Sequence, residues 1–316
     1  MIGCNGVMCL IIRNGLIFIG KGIIMQSIFQ DIEYKENELL SNHTTFKIGG
    51  PAKYFFTPRS KEEITRIIDI CVSNNIRYMI IGNGSNLLFA DKGFDGAIIQ
   101  MYGGCNDIAV LEDGIYANAG ALLSKIAATA RDNSMTGVEF AAGIPGTLGG
   151  AIVMNAGAYG GEMKDVVEYV DVLTQDGRTD RISCDSMNFG YRKSIISKDM
   201  IVLGAKLTLG KGDKSLIQSR MDELKQARVS KQPLDMPSAG STFKRPEGYF
   251  AAKLIDDCGL KGLKCGGAMV SDKHCGFVVN YDNATCKDVL ELIEKIQGIV
   301  EEKFGVRLEP EVKIIL

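Results

Sequence analysis

Three polar residues in the second half of the chain stand where chemistry is possible. Arg192 lies in Phe189-Gly190-Tyr191-Arg192-Lys193-Ser194, and its planar guanidinium is a fork that binds carboxylates through two parallel hydrogen bonds. Ser241 follows Gly240 in Ser238-Ala239-Gly240-Ser241-Thr242-Phe243-Lys244-Arg245-Pro246, a loop context in which a hydroxyl can stand clear of packing. Glu311, in Leu308-Glu309-Pro310-Glu311-Val312, sits one residue before a terminal apolar run, at a position that can point into a cleft. Taken singly, each has an ordinary structural reading: a serine that caps a turn, a solvated arginine, a glutamate at a strand edge. No Ser-His-Asp arrangement appears, because His43 and His274 lack a G-x-S-x-G partner.

Two glycine loops are the second signal. Gly82-Asn83-Gly84-Ser85-Asn86 directly follows a short apolar strand. Its backbone N–H groups can converge on a pyrophosphate as a nest, with Ser85 and Asn86 adding side-chain hydrogen bonds. It departs from the dinucleotide fingerprint, because the sixth position is Leu87 and no amphipathic helix follows. The second loop, 140–162, is dominated by glycine and alanine and contains Gly143, Ile144, Pro145, Gly146, Gly149 and Gly150. Ordering so much glycine costs chain entropy. A large flat ligand lying against bare backbone would offset that cost; a set of tight turns is the alternative.

The elements that position these loops follow from periodicity. Ser60 and Glu63 form a capping box before a helix that buries Ile64, Ile67, Ile68 and Cys71. Strands are expected at 77–81, 96–101, 166–174, 201–209 and 312–316, and helices at 122–133, 215–229 and 286–304. The helix at 215–229 turns Ile217, Met221 and Leu224 inward, and the last one starts at Thr285 and stops at Gly305. The sum is an α+β chain whose 316 residues suit two or three units.

Composition narrows the function. With 36 basic and 38 acidic side chains, the net charge of -2 gives no broad footprint for nucleic acid. Nine cysteines without a CxxC pair, and only two histidines, imply reduced thiols in a cytoplasmic protein and no metal site. Residues 1–24 are apolar but interrupted by Arg13, Asn14 and Lys21, and no run reaches the roughly 18 residues of a membrane span. They are read as an extension without assigned role, with translation able to begin at Met25.

Seven motifs in order, HTTFKIGGPA (43–52), GNGSNLL (82–88), GIPGTLGGAIVMNAGAYGGE (143–162), YRKS (191–194), SAGSTFKRP (238–246), KHCGFVVN (273–280) and LEPEVKII (308–315), closely resemble the UDP-N-acetylenolpyruvoylglucosamine reductase family. The resemblance runs from about residue 35 to the end, and it is to the shorter type without an extra substrate-covering segment. It implies a two-lobed FAD-binding region of the vanillyl-alcohol-oxidase (PCMH) type, lobes 25–101 and 102–212, followed by an α+β substrate-binding domain at 213–316. It implies non-covalent FAD held by both glycine loops, NADPH as reductant, and a UDP-sugar carrying an enolpyruvyl ether as substrate, with no nucleic-acid or membrane partner and a monomeric state. Arg192, Ser241 and Glu311 are the matching catalytic positions, with Ser241 as proton donor. Lys244, Arg245, Lys253 and Lys273 are expected to hold the diphosphate. The rival reading is an FAD-dependent alcohol oxidase of the same cofactor fold, in which His43 would be the residue to watch for covalent flavin.

Overall fold

The computed structural model describes residues 28–197 and 199–316, together with the backbone of Ile12–Arg13, Leu16–Ile19 and Ile23–Gln26. Those three segments pair as an antiparallel sheet; the remaining expectations for 1–24 lie outside the described residues.

The first lobe is a four-stranded sheet in the order Lys35–Leu39, Pro51–Phe56, Phe94–Gln100, Tyr78–Ile81. The first pair is antiparallel and the other two are parallel. Parallel neighbours need a crossover, and helix α1, Lys61–Ser73, is part of it. Its Ile67 and Cys71 pack against Phe56, Ala97 and Ile99. The capping box is only half made. Ser60 accepts from the Glu63 N–H at 3.2 Å, but the Glu63 carboxylate accepts from Arg59 N–H, one residue before the cap.

The second lobe is a five-stranded antiparallel sheet in the order Thr179–Ser183, Val167–Thr174, Met200–Thr208, Gly114–Asn118, Ile108–Leu111. Helices α2, Leu123–Asp132, and α3, Leu148–Met154, cover it, burying Ile126, Leu148 and Ile152 against Ala205 and Leu207. Helix α3 lies inside the passage read as loop or turns. Its two glycines lower helix propensity, but Leu148, Ala151 and Ile152 fall on one buried face, and packing wins.

Helix α4, Lys214–Lys231, opens the segment expected as the third unit. Its Met221 packs on the second lobe's core, and Arg131 donates to Gln218 Oε1 at 2.8 Å. The C-terminal unit proper is a three-stranded sheet, Lys264–Cys265, Ala268–Val270 and Val278–Asn280, with α5, Ala251–Asp257, and α6, Cys286–Phe304. In α6 the capping box is complete, between Thr285 and Asp288, and Gly305 ends the helix at φ 68°. Its face of Val289, Leu292, Ile293 and Ile296 packs with Phe46, Ile48 and Leu88 from the first lobe. The last strand, Lys313–Ile315, then pairs in parallel with Leu87–Phe89. The chain end is thereby laid beside the first glycine loop.

Candidate active site

The strand Tyr78–Ile81 delivers Gly82–Asn86 to a cleft of about 710 Å³, a volume ordinary for a small-molecule site. Gly84 sits at φ 63°, and a Cβ there would lie 2.1 Å from the His43 carbonyl oxygen. Only glycine fits so close an approach. His43 belongs to the loop's support. Its ring nitrogens meet Glu38 Oε1 at 2.8 Å and Gln100 Oε1 at 3.0 Å, and Gln100 Nε2 donates to Gly82 O at 3.2 Å. Burial opposes charge on Glu38, but hydrogen bonds from His43 and Lys35 outweigh it and hold the carboxyl below its usual range. With both ring nitrogens engaged and no place in the cleft wall, His43 does not favour the covalent-flavin reading.

Asn83 and Asn86 line the cleft, as does Ser85, but their amides are committed elsewhere. Asn83 Nδ2 donates to Pro145 O at 2.8 Å, clasping the two glycine loops together, and Asn86 Nδ2 donates to Glu311 O at 3.2 Å. In the second loop Ile144, Pro145, Gly146 and Gly150 line the cleft, whereas Gly143 and Gly149 do not. A Cβ on Gly143 would meet the Arg228 side chain at 3.0 Å and one on Gly149 would meet Ala119 at 3.0 Å, so both positions are tightly packed. Gly146 and Gly150 differ: nothing approaches their Cβ positions closer than 3.7 Å and 3.8 Å. Beside them Thr147 is 1% exposed, and its Oγ1 has no hydrogen-bond partner among the described residues. Such buried hydroxyls are normally satisfied. Bare backbone and an orphan hydroxyl at the cleft together suit the flat ring of a flavin dinucleotide.

The three candidate catalytic residues meet in the same cleft. Residues 242–244 run antiparallel to 309–311: Glu311 N–H donates to Thr242 O and Lys244 N–H to Glu309 O, both at 2.8 Å. That short ladder brings half-buried Ser241 to the neighbourhood of Glu311, and its hydroxyl takes no intramolecular hydrogen bond among the described residues. Arg192 is carried on a tight turn closed by paired hydrogen bonds between Gly190 and Lys193, at φ 54°, a conformation that usually calls for glycine. Its Nε donates to Glu311 Oε1 at 2.7 Å, with the two side chains only 24% and 12% exposed, so water screens the pair little.

The four expected diphosphate cations are not brought to the cleft wall. Lys244 pairs with Glu309 and Lys253 with Asp257, the Arg245 guanidinium lies 4.0 Å over the Phe250 ring, and Lys273 Nζ donates to Val229 O at 2.6 Å. Each is satisfied where it stands. Arg228, Lys231 and Lys313 line the cleft instead. Arg228 donates to Gly143 O at 2.6 Å, and burial pushes its guanidinium below the ordinary value. Two of these were legible: Arg228 and Lys231 continue the inward stripe Ile217, Met221, Leu224 at spacings of three and four. His274 also faces the cleft, with Nδ1 accepting from Gly276 N–H at 3.1 Å.

Residues 52–183 match an FAD binding domain, and residues 232–315 match the C-terminal domain of UDP-N-acetylenolpyruvoylglucosamine reductase. The reductase of that name from Clostridium novyi (strain NT) is 49% identical over 292 residues, 92% of this chain and 95% of that protein. Its counterpart from Clostridioides difficile (strain 630) is 48% identical over 294 residues, 93% and 97% of the two chains. The crystal structure of UDP-N-acetylenolpyruvylglucosamine reductase from Thermus caldophilus superposes with a TM-score of 0.78 at 36% identity, covering 90% of this chain and 100% of that one. The second match starts at residue 232, directly after α4.

Proposed function

The chain belongs to the UDP-N-acetylenolpyruvoylglucosamine reductase family, and from that premise we propose that Arg192, Glu311 and Ser241 carry its reaction. It is an FAD-dependent oxidoreductase that uses NADPH to reduce the enolpyruvyl ether of a UDP-sugar, giving UDP-N-acetylmuramate for peptidoglycan precursor synthesis. FAD, when bound, supplies the hydride chemistry between NADPH and the alkene.

Hydride addition to the β-carbon leaves negative charge on the α-carbon and its carboxylate. Arg192 is the group for that carboxylate, because its fork binds two oxygens at once. Glu311 accepts from Arg192 Nε at 2.7 Å and so fixes the guanidinium against the developing charge, which a preorganised site of low exposure stabilises strongly. Ser241 is a weak acid in water, but the centre it would protonate is strongly basic, and a fixed geometry makes the transfer reasonable. Arg228, Lys231 and Lys313 are the cations we assign to phosphate groups in the cleft, in place of the four expected from sequence.

The observation that carries this reading is the 2.7 Å Arg192–Glu311 contact, one ladder step from Ser241, in the cleft that both glycine loops enter. Purified protein should be yellow and release its flavin on denaturation. NADPH should bleach the flavin, and the enolpyruvyl sugar nucleotide should restore the colour anaerobically. Colour that returns only with oxygen would sink the reading. Cytoplasmic placement and a monomeric state belong to the same proposal. The described cysteines, Cys71 to Cys286, are all free, as suits a reducing compartment. Sedimentation at one chain mass tests the monomer. Among the described residues no helix is long and apolar enough to cross a membrane.

A further inference from the structure

Asn155 ends α3 in the left-handed region, at φ 42° and ψ 54°, and is 1% exposed. So polar a side chain is buried only with its bonds made, and both of its polar atoms are used. Nδ2 donates to the Glu162 carboxylate and, at 3.2 Å, to Gly190 O, while Oδ1 accepts from Lys164 N–H at 3.0 Å. Gly190 is the residue that opens the Arg192 turn. The other end of that turn is tied to the same helix, where Ser194 Oγ donates to Val153 O at 2.9 Å. The turn therefore hangs from the last residues of α3, while Gly150 in the helix's first turn lines the cleft. Arg192 holds a left-handed backbone, a strained conformation that persists only where the surroundings over-determine it.

We propose that Asn155 is a positioning residue for Arg192. Asn155 does not line the cleft, and it acts through Gly190, setting where the guanidinium stands relative to Glu311 and the reacting carbons. Asn86 makes the matching contact on the other side, from the first glycine loop to the Glu311 carbonyl. Each glycine loop thus holds one member of the charged pair. The inference rests on the catalytic reading of Arg192 given above.

Two variants test it on the holoenzyme. Asn155→Gly keeps the left-handed backbone without steric cost and deletes the side-chain bonds. Asn155→Asp keeps the shape and turns an acceptor toward Gly190 O. Both should retain FAD and accept hydride from NADPH at close to the wild-type rate. Reoxidation by the enolpyruvyl sugar nucleotide should slow about 10²-fold, the cost typical of a displacement near 1 Å. Combining Asn155→Gly with Arg192→Ala should be no slower than Arg192→Ala alone, because the first change acts only through the second residue. Normal reoxidation in both variants, a multiplicative loss in the double variant, or loss of FAD from both would each overturn the proposal. Failure of the functional reading looks different: wild-type protein would not be reoxidised by the sugar nucleotide, or Arg192→Ala would leave reoxidation untouched.

Discussion

Gly150→Ala sets two free energies against each other. Gly150 is exposed to the cleft within α3, and the atom nearest its Cβ position is Thr147 Oγ1 at 3.8 Å. Inside the protein the added methyl therefore meets ordinary contact, and replacing a helical glycine by alanine stabilises by about 0.5–1 kcal/mol. The apoprotein should melt at a higher temperature. The same methyl projects to where a flavin would lie on bare backbone, and overpacking of that kind costs about 1–3 kcal/mol. At about 1.4 kcal/mol per tenfold, FAD binding should weaken roughly 5- to 150-fold. Gly149→Ala is the control, since its Cβ would press on Ala119 at 3.0 Å, away from the cleft, and should destabilise the apoprotein. Thermal melting of apoprotein and titration with FAD, followed by flavin fluorescence, read both quantities. If Gly150→Ala binds FAD as tightly as wild type, the cofactor does not lie on this backbone.

Other expectations follow from single atoms. Ser241→Ala should keep FAD and its reduction by NADPH, while reoxidation by the enolpyruvyl substrate in stopped flow slows about 10²–10⁴-fold; normal reoxidation would remove Ser241 as donor. Thr147→Val deletes a buried hydroxyl without a protein partner, so the apoprotein should gain about 1 kcal/mol while FAD binding weakens and Thr147→Ser restores it. Undiminished FAD affinity in Thr147→Val would show that no ligand atom meets the hydroxyl. Burial lowers the His274 pKa from the ordinary 6.5, so the unfolded chain takes up this proton first as pH falls. Stability linked to His274 is therefore complete above about pH 6.5 and lost below it, and denaturant titrations of His274→Gln should show a shallower acid decline. An unchanged acid slope would contradict that assignment.

Local signals in the sequence carried the skeleton of the fold. The α6 boundaries at Thr285 and Gly305 were legible because caps and left-handed glycines act within one turn of chain. The strand Met200–Thr208 was legible from side-chain alternation. The motifs pointed to Arg192, Ser241 and Glu311, but not to what holds them. Helix α3 was hidden because glycine propensity is local, whereas the packing of Leu148 and Ile152 on the second lobe is not. The surroundings of the expected phosphate cations were hidden for the same reason: whether a lysine has a partner depends on residues such as Glu309, far along the chain from Lys244. Sequence determined which residue types and turns exist; tertiary structure decided which of them meet. Arg192 and Glu311 are 119 residues apart, Asn86 and Glu311 are 225 apart, and those contacts arise only when the terminal strand pairs beside the first glycine loop. Chain closure over such separations is dictated by burial of the whole core, which no short window of residues contains.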